Sequence, residues 1–128
     1  MTNYWLVGAS WGGKVDQSDK FLQRGYWFLG HSDIDQPKQA ALRDQIKPGD
    51  RIAIKKMQGQ GSKTISIRAL GIVKEIDEED KRVYVDWLVK ELDREVPSKG
   101  SRGDQGVFKS IQGPYSPEDE WTRLVFHI

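Results

Sequence analysis

Lys47-Pro48-Gly49-Asp50-Arg51-Ile52-Ala53-Ile54-Lys55 is the stretch on which the fold turns, because within it the apolar period changes from helical to two. Pro48 followed by Gly49 is what a type II turn requires: proline fixes the first φ and glycine supplies the positive second one. Just upstream, Asp35 followed by Gln36-Pro37 starts a helix with a capping side chain and a proline in its first turn, and Ala40, Leu42 and Ile46 form its buried side. Downstream, alternation predicts a strand over 51–55, a longer one over 64–76 and a third over 82–89, with Val83, Val85, Trp87 and Val89 on a common face. Gln58 to Ser62 reads as a mobile loop tip, and Asp77 to Lys81 as a solvated hairpin turn.

The same reading extends to both ends. Asn3 to Ala9 is an opening strand stopped by Ser10-Trp11-Gly12-Gly13. A short helix follows, with Ser18 as N-cap, Phe21 and Leu22 facing the core and Gly25 at its stop, after which Tyr26 to Leu29 is extended. The stretch from Glu95 to Glu120 is rich in Gly, Pro and Ser around one apolar island, Val107 to Ile111, and reads as an irregular excursion. Trp121 to Ile128 reads as a last strand. With no internal repeat and no boundary, residues 1–128 are expected to form a single α+β domain. Because it ends inside strand-like sequence, a module excised from, or fused to, something larger is an expectation of this reading.

Composition narrows the function classes. The chain is 37% hydrophobic and 30% charged, unlike a disordered sequence. The absence of cysteine excludes disulfides, thiolate metal sites and cysteine nucleophiles, and suits a reducing cytoplasm. There is no basic n-region and no apolar run that would span a bilayer, so a cytosolic protein with no membrane partner is expected. A net charge of +1 excludes a pervasively basic surface, but the distribution is uneven. From Lys47 to Glu75 there are seven basic residues against two acidic ones, and from Ile76 to Glu95 four against eight.

Catalytic sets are thin. His31 and His127 are far apart, no His and carboxylate group has metal-ligand spacing, and the glycines match no phosphate-binding fingerprint, so neither a metal nor a cofactor is expected. The aromatics carry more. Five tryptophans exceed what a small core needs, so some are expected on display. Trp5 and Trp87 have apolar same-face neighbours and read as core. Trp11 and Trp27 sit where extended structure meets a loop, as aromatic walls for a flipped base would. Arg51, Lys55 and Lys56 on the adjacent strand would rim that pocket with phosphate-binding charge.

These residues resemble the EVE/YTH branch of the PUA-like superfamily, and especially the N-terminal reader domains of McrB-type restriction ATPases. Asn3-Tyr4-Trp5-Leu6-Val7 resembles the first EVE strand, Lys47 to Ile52 the "KxGD" turn, and Ala69-Leu70-Gly71-Ile72-Val73 the glycine-containing strand, over roughly residues 3 to 90. Ala9-Ser10-Trp11, Gly25-Tyr26-Trp27 and Val85-Asp86-Trp87 stand where YTH domains carry their pocket motifs. The resemblance implies a small mixed β-barrel of five or six strands flanked by two or three short helices. It also implies Trp27 as a cage wall, Ser10 in the pocket floor, and Asp86 with Trp87 supporting its edge. Trp11 replaces the asparagine that reads adenine in YTH domains, and the second cage tryptophan has no counterpart between Gly71 and Tyr84, so methyladenine specificity does not carry over.

The expected function is therefore recognition of a modified, methylated base flipped out of DNA or RNA. Chemistry would fall to a fused or associated AAA+ ATPase or nuclease, and the domain itself would not be an enzyme. The alternatives are an ASCH-like amidohydrolase using Lys55 and a protein-interaction scaffold. They part from the first on the burial of that lysine and on nucleic-acid affinity.

Overall fold

The computed structural model of the chain describes residues 2–11, 15–30, 33–57, 63–98 and 110–127, and of Ser10, Trp11 and Val15 the backbone alone. The turn expected at Gly12-Gly13, the loop tip at 58–62, most of the apolar island at 107–111 and His31 lie outside the described residues.

Among the described residues there are nine strands and three helices: β1 Tyr4–Gly8, β2 Ser10–Trp11, β3 Val15–Asp16, α1 Ser18–Arg24, β4 Tyr26–Trp27, α2 Pro37–Arg43, β5 Arg51–Met57, β6 Thr64–Asp77, β7 Arg82–Val89, β8 Arg94–Pro97, β9 Ile111–Tyr115 and α3 Glu120–Phe126. Seven strands form one mixed sheet in the order β4-β7-β6-β5-β1-β9, with β8 also on β6, and β2 and β3 form a separate small hairpin. The protein is a small mixed α+β domain. The sheet does not close into the expected barrel, and its strands outnumber the five or six anticipated.

Strand alternation builds two cores. β1 runs parallel to β5, and β5 antiparallel to β6. Trp5, Val7, Ile52, Ile54, Ala69 and Val73 face one side, with Val83, Val85 and Trp87 of β7, under Phe21 of α1 and Ala40 of α2. Leu6, Ala53, Ile65, Ile67 and Val96 face the other, under Val125 of α3. β1 and the first part of β5 are buried on both faces, which explains their near-continuous apolar sequence.

The turn that decides the fold is held from inside. Gly49 has φ +93°, and the Asp50 amide donates to the Lys47 carbonyl at 3.0 Å, as the Pro-Gly pair predicts. Asp50 itself is only 3% exposed. Its carboxylate accepts from the Asn3 amide (3.1 Å), the Trp5 indole N–H (2.9 Å) and the Lys47 amide (3.1 Å), tying β1 to the entry of β5.

The helices differ from expectation in detail and once in kind. In α1, Gln17 is the cap residue and Ser18 the first residue of the helix; Ser18 donates its amide to Asp16 Oδ1 at 2.8 Å, and Gly25 ends the helix in the left-handed region as expected. In α2, Gln36 holds the cap position expected of Asp35, and the buried face includes Gln39 and Arg43 as well as Ala40. Arg43 is buried because Asp33 grips it bidentately at 2.8 and 2.9 Å and Asp44 accepts two further bonds, from Nε at 3.1 Å and Nη2 at 2.9 Å. The bond to Asp33, assisted by Asp44, raises the guanidinium above its ordinary pKa, and Arg43 in turn holds Asp33 below the usual carboxylate range.

The expected last strand is a helix. Thr122 and Val125 are buried one turn apart with Trp121 and Phe126 packed beside them, and Asp119 caps the first turn by accepting from the Thr122 amide (3.1 Å) and hydroxyl (2.7 Å). His127 is the left-handed residue that ends α3, not a strand side chain. The 95–120 excursion also contains order: β8 covers the first half of β6, and β9 pairs with β1. Asp119→Ala is expected to cost about 1 kcal/mol of stability through the lost cap, read as a lowered urea midpoint with the sheet intact.

Candidate functional site

Four tryptophans spend their indole N–H on the protein. Trp5 donates to Asp50, Trp27 to the Gly8 carbonyl (2.9 Å), Trp87 to the Phe21 carbonyl (3.1 Å) and Trp121 to the Pro97 carbonyl (2.6 Å). Trp27 is completely buried, which corrects its expected place as a displayed cage wall. A ring of its size gains more from full burial with a satisfied N–H than from a solvent-facing strand end. Trp87 is buried as well. It anchors α1 to β7 from within the core.

The expected basic rim divides. Lys55 is only 5% exposed, and its amine donates to Oε1 of buried Gln112, which corrects its place as a phosphate contact. Lys56 is half exposed and lies 3.7 Å from Asp16 on β3. Arg51 sits at the opposite end of β5, its guanidinium turned to the Gly49 carbonyl. At a strand rise of about 3.3 Å per residue, the separation from Lys55 is about 13 Å. Asp86 is exposed and belongs with Arg51: both residues pair with Ile72 of β6, one from each side.

The other end of β5 is where several predicted residues meet. Lys55 pairs with Gly8, whose carbonyl holds Trp27, and two residues on the chain enters β2. In the hairpin Ser10 pairs with Asp16, and Trp11 with Val15. Asp16 lines a cavity of about 360 Å³, together with Ser18, Asp19 and Leu22 from the α1 side, Arg68 of β6, and residues 90–93 between β7 and β8. That is within the usual size range of small-ligand sites.

The cavity walls are polar and fixed. The Leu92 amide donates to the Arg68 carbonyl at 3.1 Å, and Asp93 accepts from buried Ser66 at 2.6 Å while lying 3.7 Å from the Arg68 guanidinium. Burial by itself would raise the Asp16 pKa, but the Ser18 hydrogen bonds and Lys56 outweigh it and hold the carboxyl below its usual 3.8. A depressed folded pKa means stability that is present above 3.8 and lost as pH falls through the lower folded value. Asp16→Asn is expected to flatten that part of an acid-unfolding curve below about pH 4, leaving the curve at neutral pH parallel to wild type.

Sequence reasoning read Ser18 only as a helix cap and did not assign Asp16, Arg68, Lys90 or Asp93 to a site. The Asp16-Gln17-Ser18 turn before a helix was a local signal for the first two. The others reach the cavity through pairings between residues far apart in sequence. Among the described residues, no group of three or more His, Cys, Asp or Glu side chains is placed to hold a metal ion, and no helix is long and apolar enough to cross a membrane. No protein-family model matches the chain, and no curated protein matches it.

Proposed function

We propose that the domain is a nucleic-acid recognition module that receives a modified, flipped-out base, with chemistry left to a separate effector. The observation that carries this reading is the Ser10 to Asp16 pairing, which sets the Ser10-Trp11 strand against the wall of the cavity. A nucleobase fits that volume. Asp16 and the exposed carboxylates of Asp19 and Glu91 are acceptors suited to base N–H groups, as carboxylates are to the cytosine amino group. Arg68, Lys90 and Lys56 supply positive charge at the rim for flanking phosphates. Trp27 then acts as the support beneath the hairpin root, and Trp11 as the stacking ring.

We read the sheet as an opened variant of the PUA-like barrel. In support, Trp27 on terminal strand β4 donates to the Gly8 carbonyl on β1, and the Gly8 amide donates to the Ser110 carbonyl beside β9 at 2.8 Å. The Trp27 bond spans the sheet from one end of its path almost to the other.

The reading is tested by reversing charge at the rim. Arg68→Glu with Lys90→Glu is expected to weaken binding of a fluorescent single-stranded oligonucleotide at least tenfold and to lower the slope of log K against log salt by about 2. Unchanged affinity and slope would place the contact surface elsewhere.

One observation favours a second reading. Lys55 is a buried amine against a buried amide, and Gln112 also lies 3.4 Å from the Tyr115 hydroxyl. An ASCH-like amidohydrolase would need a desolvated lysine of this sort. Turnover of N-acylated nucleosides that vanishes in Lys55→Met would favour it over the reader.

A further inference from the structure

We infer that, whatever its cavity holds, the domain pairs with a second copy of itself through the sheet face that carries the second core, each copy docking its α3 on the half of that face which its partner leaves open. α3 covers only the other half: Val125 packs with Leu6, Ala53 and Val96, Phe126 meets the Tyr4 ring at 4.9 Å, and Trp121 is tied to Pro97. The open half begins in β6. Side chains of directly paired residues point the same way, so Ile72 shares this face with Arg51 on one side and Asp86 on the other, and Leu70 shares it with Ala53 and Val89. A bulge at Leu88 adds one more apolar residue to that edge. Leu70 and Ile72 are half-buried, whereas Leu88 and Val89 are 61% and 38% exposed.

The same chain carries the part that fits this strip. In α3 Thr122 and Val125 are buried, and at about 100° per residue Leu124 points away from the sheet they face; it is 52% exposed. Of the five large apolar side chains exposed among the described residues, Leu88, Val89 and Leu124 are three, so knob and strip together hold most of the apolar surface left uncovered. Their charged flanks match as well. The strip lies between Arg51 and Asp86, and Leu124 stands beside exposed Glu120 and Arg123, so each side offers one charge of either sign to its opposite. Asp86 has no ion-pair partner among the described residues. A two-fold axis makes each contact twice, Leu124 of one copy on Ile72 and Leu88 of the other and the reverse. The two α3 helices then lie side by side between two sheets, and each sheet face is covered half by its own helix and half by the other copy's. A partner of another sequence would fill the strip and leave Leu124 bare.

The test is sedimentation equilibrium of the intact domain over a range of concentrations, joined to isotope-filtered NMR on a mixture of labelled and unlabelled chains. A monomer–dimer equilibrium is expected, with intermolecular NOEs from the Leu124 methyls to those of Ile72 and Leu88. Leu124→Lys and Leu88→Glu should each raise the dimer dissociation constant about tenfold or more, because the lost contact occurs twice, with circular dichroism unchanged. Mixed together, the two variants should dimerise again, since one lysine then faces one glutamate and the second contact is wild type. A monomer at every concentration would overturn this dimer. A dimer that both variants form like wild type, or one whose NOEs arise from other residues, would overturn it too, and the NOEs decide without any substitution if a variant does not fold.

Discussion

Asp50→Ala is expected to lower the unfolding free energy by about 3–5 kcal/mol, seen as a large fall in the urea midpoint with little change in slope. The carboxylate is the common acceptor of the Asn3 amide, the Trp5 indole N–H and the Lys47 amide, and it is 3% exposed. Removing it leaves a buried indole donor with no partner and two amides dependent on whatever water can enter. An unmet buried donor costs about 1–3 kcal/mol, so the sum is a large share of a domain's typical 5–15 kcal/mol. Asp50→Asn should lose less, because one amide oxygen still accepts while the nitrogen faces a donor. A midpoint unmoved in both variants would mean that β1 is held to β5 by its ladder alone.

Gly71→Ala should cost about 1–3 kcal/mol by overpacking, and the reason lies in β7. A Cβ at this position would stand 2.5 Å from Val85 Cγ1, 2.9 Å from the Asp86 carbonyl oxygen and 2.9 Å from Trp87 Cε3. The valine can rotate away; the carbonyl belongs to the paired strand, and Trp87 is fastened to Phe21. The measurement is thermal unfolding combined with tryptophan fluorescence. Adding Val85→Ala to Gly71→Ala should restore only part of the loss, because the carbonyl contact stays. Full restoration would show that the side chain, not the strand spacing, sets the constraint.

The sheet was legible wherever burial on one face wrote a period of two. β5, β6 and β7 and the turn at 77–81 fall where alternation puts them, and Pro48-Gly49 ends the α2 region as its chemistry demands. The C-terminal third was not legible by the same route. β8 and β9 are short and share their sequence with Pro and Gly, and both lie along strands distant in sequence, so pairing rather than propensity makes them. In α3 the alternation of Trp121, Val125 and His127 hid the helical spacing of Thr122 and Val125, and the Asp119 cap decides between them. Reading Asp119 and Thr122 as a cap pair would have found the helix.

The candidate site was legible in part. Trp27 was expected at a strand end, and it is there, but a strand end is not a surface when α1 and β1 fold over it. Lys55 and Lys56 are neighbours in sequence, yet adjacent strand residues point to opposite faces, and Lys55 is buried while Lys56 is half exposed. The cavity joins residue 16 to residues 68 and 90–93, a contact that only the register of β6 with its neighbours creates.

The most direct test of the reader is a tryptophan-fluorescence titration of the intact domain, at two salt concentrations, with oligonucleotides that carry either an unmodified base or one of several methylated ones. Quenching is expected to favour one methylated oligonucleotide, to weaken at the higher salt and to disappear in Trp11→Ala. Equal affinity for every oligonucleotide, or no binding at either salt, would contradict it.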